Sequence, residues 1–394
     1  MEQTKILLVA VNAKYIHSNP GVHSLKKYCA MQDAELAEHV DIAGYTINQS
    51  LESILADLYQ RKPDVIGISC YIWNIATVGR LLPEIAKILP NARLWLGGPE
   101  VTYNPEEVME KYPMLTGVFI GEGEGAFYQV ADYYVNKKGD LHDIKSIYYD
   151  GRCIGIQALD TLDELPFLYK NLEEFENRII YYETSRGCPY RCTYCLSSVD
   201  QKVRLRSMEL VEKELQFFLD HKVPQVKFVD RTFNCNHKHA MAIWRYIKEH
   251  DNGVTNFHFE VAADIMTQEE LDLLVTMRPG AVQLEIGVQS TNPDTIREIR
   301  RVMNIDKVAS CVKRIHDAGN IHAHLDLIAG LPYEDYATFG RSFDDVYRME
   351  PEQLQLGFLK VLKGAYINEA KEQYGIVCTD EPPYEVLFTS WLSF

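Results

Sequence analysis

Cys188, Cys192 and Cys195 lie in the stretch SRGCPYRCTYCLSS (185–198) at C-x3-C-x2-C spacing, with no fourth cysteine or histidine among them. Four readings compete for so tight a set of soft ligands. A structural zinc ion asks for four ligands in a closed tetrahedron, and the fourth would have to be remote, with Cys235, His237 or His239 as candidates. A disulfide would leave one thiol over. Structural thiols clustered by chance give no reason for Gly187, Pro189 and Arg191, which break the stretch into a loop. An iron–sulfur cluster held by thiolates accounts for the number three. An iron without a protein ligand keeps positions open for chemistry, by the logic that separates catalytic from structural metal sites.

The loop follows the apolar run IIYYETS (179–185), and downstream four segments alternate polar and apolar side chains. His258, Glu260, Ala262 and Asp264 stand against Phe259, Val261 and Ala263; Gln283, Glu285, Gly287 and Gln289 against Leu284, Ile286 and Val288. His322, His324 and Asp326 stand against Ala323, Leu325 and Leu327; Gln353, Gln355 and Gly357 against Leu354, Leu356 and Phe358. Side chains alternate faces along a strand, so each of these has a polar row opposite an apolar one. Helical stretches separate them: Met208, Val211, Leu215 and Phe218 form a stripe, Thr267-x-x-Glu270 is a capping box, and Asn292-Pro293 suits a helix start. Strands joined by helices are parallel, with helices on the apolar rows. The polar rows then line a lumen or, in a mixed sheet, face water; helix cover recurring after each strand favours the lumen and a partial (β/α)6 barrel over 177–362.

Ahead of it, residues 1–138 read as an open, doubly wound α/β domain of flavodoxin or Rossmann type. The expected strands are 5–11, 39–45, 64–72, 92–98 and 117–123, with helical stripes at Leu51, Ile54, Leu55, Leu58 and at Phe127, Val130, Ala131, Tyr134. A hairpin about Asp150-Gly151 and an acidic linker would fill 139–176, and residues 363–394 would form an extension, apolar to its last residue.

Charge and cysteine usage narrow the setting. Net charge is −16, which disfavours long nucleic acid and anionic membrane. Nine cysteines, six of them scattered singly (Cys29, Cys70, Cys153, Cys235, Cys311, Cys378), make a poor disulfide framework. The apolar run from Ile6 is too short for a secretory signal or a membrane span. The expectation is a soluble, cytoplasmic protein.

C-x3-C-x2-C with Tyr194 before the last cysteine, on the loop after the first strand of a partial barrel, resembles the radical S-adenosylmethionine (SAM) superfamily. The resemblance implies a [4Fe–4S] cluster on Cys188, Cys192 and Cys195 whose open iron binds SAM, and an external electron donor such as flavodoxin or ferredoxin. Cleavage of SAM would give a 5′-deoxyadenosyl radical. HLDLIAGLP (324–332) is similar to the fifth-strand segment, which sets Ile328 and Gly330 against adenine. LEIGVQS (284–290) is similar to the fourth, which makes Glu285, Gln289 and Ser290 SAM contacts together with Tyr194. The superfamily's GGE after the second strand is absent. FVDRTFN (228–234) stands there, so Asp230 or Thr232 would take its part.

The leading domain resembles that of the cobalamin-binding subgroup. Of its D-x-H-x-x-G box, NAKYIHSNPG (12–21) keeps His17, but Tyr15 replaces the Asp and Gly21 comes one position late. Ser69-Cys70-Tyr71 and Gly97-Gly98 fall where S-x-L and G-G belong, which implies cobalamin contacts at Ser69, Tyr71, Gly97 and Gly98 without cobalt ligation by His17. GEGEGAF (121–127) is a glycine-rich strand end opening a helix, an anion site by position, but Glu122 and Glu124 make it a poor phosphate cradle, and contact to the neighbouring domain is the alternative. The function implied is C-methylation of an unactivated carbon, with methylcobalamin as methyl donor. A small polar substrate would be held by Glu260, Gln283, His324 and Asp326. The rivals are a methylthiotransferase-like enzyme and a non-catalytic iron–sulfur or zinc protein.

Overall fold

Every residue of β1 (Ile6–Asn12) is buried, and its alternate side chains enter two different cores. Leu7, Val9 and Val11 pack with Ile54, Leu58, Val78 and Leu82. Ile6, Leu8 and Ala10 pack with Val22, Phe127 and Val130. A strand so placed is the middle of a parallel sheet covered by helices on both faces. In the computed structural model, which describes residues 4–394, β2 (Val40–Thr46), β1, β3 (Val65–Ser69), β4 (Arg93–Gly97) and β5 (Leu115–Phe119) run parallel in that order. The order reverses between β1 and β3, the point at which such sheets bind ligands beyond their carboxyl ends.

Three expectations for this unit need correction. The sheet has six strands, not five, because β6 (Ile147–Tyr149) adds antiparallel to β5. The hairpin is correspondingly incomplete: Asp150 and Gly151 turn with φ of 48° and 75°, but the returning arm makes only the Tyr149–Arg152 bridge and a bond from Ser146 N–H to the Gly155 carbonyl. The strand at 64–72 stops at Ser69, where Asn74 accepts from the Tyr71 N–H and donates to the Ser69 and Val11 carbonyls. Ser50 caps the helix Leu51–Arg61 as read from the sequence.

The second unit carries six parallel strands in chain order: Ile180–Tyr182, Gln225–Phe228, Asn256–Val261, Val282–Gln289, His322–Ala329 and Gln353–Phe358. This is the partial barrel. Phe228, Phe257, Phe259, Leu284 and Leu325 are essentially inaccessible beneath helices that include Met208–Asp220 and His237–Glu249. The Thr267–Glu270 capping box is formed in both directions, and Asn292 caps the helix Pro293–Glu298. The third strand ends at Val261, so Ala262 and Asp264 leave the polar row for a 3-10 turn at Ala263–Ile265. Helix cover also fails on the last strand, where Leu356 is 48% and Phe358 67% exposed. Among the described residues the elements after it are short.

By contacts the first unit runs up to Asp160 and takes in Glu164–Arg178 and Glu381–Pro383, and the second comprises Thr161–Asp163, Ile179–Asp380 and Tyr384–Phe394. No helix of the described residues is long and apolar enough to cross a membrane.

Candidate active site and ligand cavities

The cysteine loop is closed at its base by a two-residue antiparallel ladder, Ser185–Arg186 with Arg204–Leu205. Gly187 makes the entry possible: its φ is 96°, and a Cβ would strike the Lys202 carbonyl. Past it, Cys188 N–H donates to Asp200 O at 2.8 Å, Cys195 N–H to Cys192 O at 3.2 Å, and Thr193 N–H to Ile299 O at 3.0 Å. Cys188 and Cys192 are each 7% exposed, and burial pushes the Cys192 thiol up.

Each sulfur meets at least one hydrogen-bonding group. Cys188 Sγ lies 3.6 Å from the Thr232 hydroxyl, Arg301 Nη1 donates to Cys192 Sγ at 4.0 Å, and Ser197 N–H donates to Cys195 Sγ at 3.4 Å. Donors aimed at sulfur stabilise thiolate and tune a cluster's potential. Among the described residues no three His, Cys, Asp or Glu side chains gather round a single ion position. A cluster puts each thiolate on a different iron and needs no such convergence, whereas a closed zinc site does.

The three cysteines line a cavity of about 240 Å³ together with Tyr194, Thr232, Glu260, Glu285, Gln289, Arg301 and Asp326. Of the expected SAM contacts, Tyr194, Glu285 and Gln289 therefore reach it. Asp230 does not line it: it is 1% exposed and accepts from both the N–H and the hydroxyl of Thr184, and burial raises its carboxyl to about 6. Of the two expected residues it is Thr232 that lines the cavity, together with Arg231 of the same segment. Ser290 is fully buried and donates to Glu334 at 2.6 Å, while Ile328 and Gly330 lie outside the cavity lining. Among the expected substrate contacts, Glu260 and Asp326 line the cavity. Gln283 sits at the far end of its strand from Gln289, and His324 lies behind, 3.2 Å from Asp326.

Arg301, Lys227 and His258 carry parts of this site that the sequence reading did not single out. Arg301 donates to the Gly287 carbonyl and, at 3.2 Å, to the Tyr194 hydroxyl. Lys227 and His258 both donate to one oxygen of Glu285, at 3.1 and 3.0 Å. The His258 bond is the larger cause, and together they hold Glu285 at about 2. Lys227 and His258 fall on polar strand rows, so alternation was the signal for them. Arg301 sits in a charged run, REIRR, that reads as a solvated helix end.

In the first unit, Ser69, Tyr71, Gly97 and Gly98 line one cavity of about 160 Å³, with six glycines among its fourteen lining residues. A Cβ on Gly97 would meet Phe119 Cβ at 3.2 Å, and one on Gly98, whose φ is 112°, would meet the Cys70 carbonyl at 2.5 Å. The hollow exists because side chains are missing, and with Leu8, Val22, Leu25 and Ile68 on its walls it suits a carbon-rich ligand segment. His17 is not among its lining residues. Its loop is clamped instead by Arg178, which donates to the carbonyls of Tyr15 and His17 and stacks on the Tyr15 ring. In GEGEGAF, Glu124 accepts from Ser24 and Glu122 from Leu159 N–H.

This pairing of domains defines a class. Residues 6–131 match the B12 binding domain and residues 182–346 the Radical SAM superfamily. The chain belongs to the radical SAM enzymes that carry a cobalamin-binding domain. It is 26% identical over 348 residues to the cobalamin-dependent radical SAM methyltransferase TokK of Streptomyces tokunonensis, covering 80% of this chain and 50% of that one. It is likewise 26% identical over 310 residues to an uncharacterized methyltransferase, PH0819, of Pyrococcus horikoshii, covering 74% of this chain and 66% of that one. The fold matches the radical S-adenosylmethionine methyltransferase TsrM of Kitasatospora setae, solved with cobalamin and a [4Fe-4S] cluster bound. There the TM-score is 0.77 at 15% identity, over 97% of this chain and 82% of that one. The chain thus spans half to two-thirds of the length of these curated relatives.

Proposed function

We propose that this protein is a cobalamin-dependent radical SAM methyltransferase acting on an unactivated carbon. The observation that carries the reading is the cysteine loop: three thiols, each with at least one hydrogen-bonding group at its sulfur, open on a polar cavity at the carboxyl ends of the barrel strands. When bound, a [4Fe–4S] cluster supplies the electron that cleaves SAM, and cobalamin supplies the methyl carrier. Cys188, Cys192 and Cys195 would hold the cluster, and the glycine-rich hollow at Ser69, Tyr71, Gly97 and Gly98 would hold part of the cobalamin. Arg301 fixes Tyr194 at the cavity wall, Thr232 is the one of the pair Asp230 and Thr232 that we assign to the place of the missing GGE, and Glu285 is kept ionised by Lys227 and His258. We take Glu285 and Gln289 as SAM contacts, and Glu260 and Asp326 as substrate contacts.

The methylthiotransferase reading needs further cluster ligands in the first unit. Cys29 and Cys70 are both fully buried there, in cores on opposite faces of the sheet, and burial pushes the Cys29 thiol up to about 12. We further infer a reducing, cytoplasmic setting with an electron donor of flavodoxin or ferredoxin type. The nine unpaired cysteines support the reducing setting.

The test is anaerobic reconstitution with iron, sulfide and hydroxocobalamin, followed by incubation with SAM and a one-electron reductant. Bound iron and cobalt together with release of 5′-deoxyadenosine support the reading. Iron without cobalt would remove the cobalamin assignment, and zinc in place of iron would overturn the class of chemistry.

A further inference from the structure

Three carboxylates stand on neighbouring strands of the barrel lumen, and they are not equivalent. Glu285 is matched by Lys227 and His258. Glu260 is its register neighbour on one side, and on the other Asp326 pairs with Gly287, two positions further along the same strand. Both Glu260 and Asp326 line the cysteine cavity. Among the described residues no hydrogen bond or ion pair reaches the Glu260 carboxylate, and Arg231 and Lys227 act on it only from beyond ion-pair distance. Asp326 Oδ1 is buried without a hydrogen bond. His324, itself 7% exposed, brings Nε2 to 3.2 Å of it but out of alignment, so that nitrogen is unsatisfied too.

A carboxylate oxygen removed from water without a donor, as Asp326 Oδ1 is, is costly, and the group either takes up a proton or recruits a cation; Glu260 faces the same cavity with no donor of its own. Burial and the charge of Glu285 raise both groups, Asp326 to about 7. Arg301, Lys227 and Arg231 offset this in part through their charge, but none donates a hydrogen bond to either carboxylate, and Arg301's donors are committed to Gly287, Tyr194 and Cys192.

We propose that Glu260 and Asp326 form a receptor for a protonated amine carried by the substrate. An ammonium group has three N–H donors and no acceptor, which is the complement of two carboxylates lacking donors. The inference rests on the proposed function in taking the cavity to hold SAM and substrate together. SAM's own ammonium has the same chemistry, so the experiment must separate the two sources.

Holoprotein carrying cluster and cobalamin is titrated with SAM by calorimetry. At saturating SAM it is then titrated with 1,4-diaminobutane and 2-phenylethylamine, each against its alcohol counterpart, 1,4-butanediol and 2-phenylethanol. At least one amine is expected to bind about tenfold or more tighter than its alcohol, the scale of a charge-assisted hydrogen bond. The Glu260→Gln/Asp326→Asn variant is expected to lose that preference, to keep SAM affinity, and to melt no lower than the wild type. The single variants, run alongside, keep the test open should the double variant fold poorly. Equal binding of amines and alcohols by the wild type would overturn the proposal. So would a tenfold loss of SAM affinity in the variants, which would assign the carboxylates to SAM. Absence of SAM binding by the wild type would overturn the functional reading and the proposal with it, a result distinct from SAM binding without amine preference.

Discussion

Arg301 Nη1 lies 3.2 Å from the Tyr194 hydroxyl and 4.0 Å from Cys192 Sγ, so one guanidinium braces two residues of the cysteine loop from a segment more than a hundred positions downstream. Removing it leaves a buried phenol and a thiol without their donor. Arg301→Gln is expected to cost about 2–3 kcal/mol of stability and Tyr194→Phe about 1 kcal/mol. A double-mutant cycle by urea unfolding of the reduced apoprotein should show coupling of about 1 kcal/mol; additivity would deny the contact.

The cysteine assignment separates cleanly from its zinc rival. Alanine at Cys188, Cys192 or Cys195 should each strip iron from anaerobically reconstituted protein, while Cys235→Ala should retain it. Cys235 feels the charge of Cys188, so iron loss on its replacement would restore a four-ligand site.

For the first unit the informative pair is Gly97→Val and His17→Ala. The valine fills the hollow against Phe119 and is expected to abolish cobalamin retention. The histidine variant should retain cobalamin with little change in its visible spectrum, because His17 lies outside the cavity lining. A lost imidazole-ligated spectrum in His17→Ala would reverse that assignment.

Glu285 sets a pH dependence whose sign follows from its depressed value. A carboxyl near 4.5 when unfolded and about 2 when folded stabilises the native state fully above 4.5. That contribution fades as pH falls toward 2. Urea midpoints of wild type should therefore drop over that window more steeply than those of Glu285→Gln. Parallel curves would show that the bonds from Lys227 and His258 do not act on it.

The architecture was legible wherever the periodicity was strong. The β1 run predicted a strand buried on both faces, and the polar rows of 256–261, 282–289 and 322–329 predicted a lumen. The same pattern misled at 353–358, because alternation records which side chains share a face and not whether a helix arrives to cover it. Leu356 and Phe358 stayed exposed. The hairpin was half-read for a related reason: Asp150-Gly151 announces a turn, but only the sheet edge decides that Ile147–Tyr149 pairs with β5. At the site, spacing exposed the three cysteines. Thr232 was named as one of two options and lies at Cys188. Arg301 stayed hidden, since its role depends on where a loop between Glu298 and Ile305 lands.

Thr193, between the second and third cysteines, is held on both sides by late parts of the chain: its N–H donates to Ile299 O, and its carbonyl accepts from Ile367 N–H at 2.9 Å. On a ribosome the cysteines emerge long before either partner. The loop therefore lacks both of these braces until synthesis has passed residue 367. Thiols exposed in that interval are open to oxidation and to stray metal. Cluster delivery is then best timed after residue 367 has emerged, and a chain released short of it should have all three ligands yet hold iron poorly.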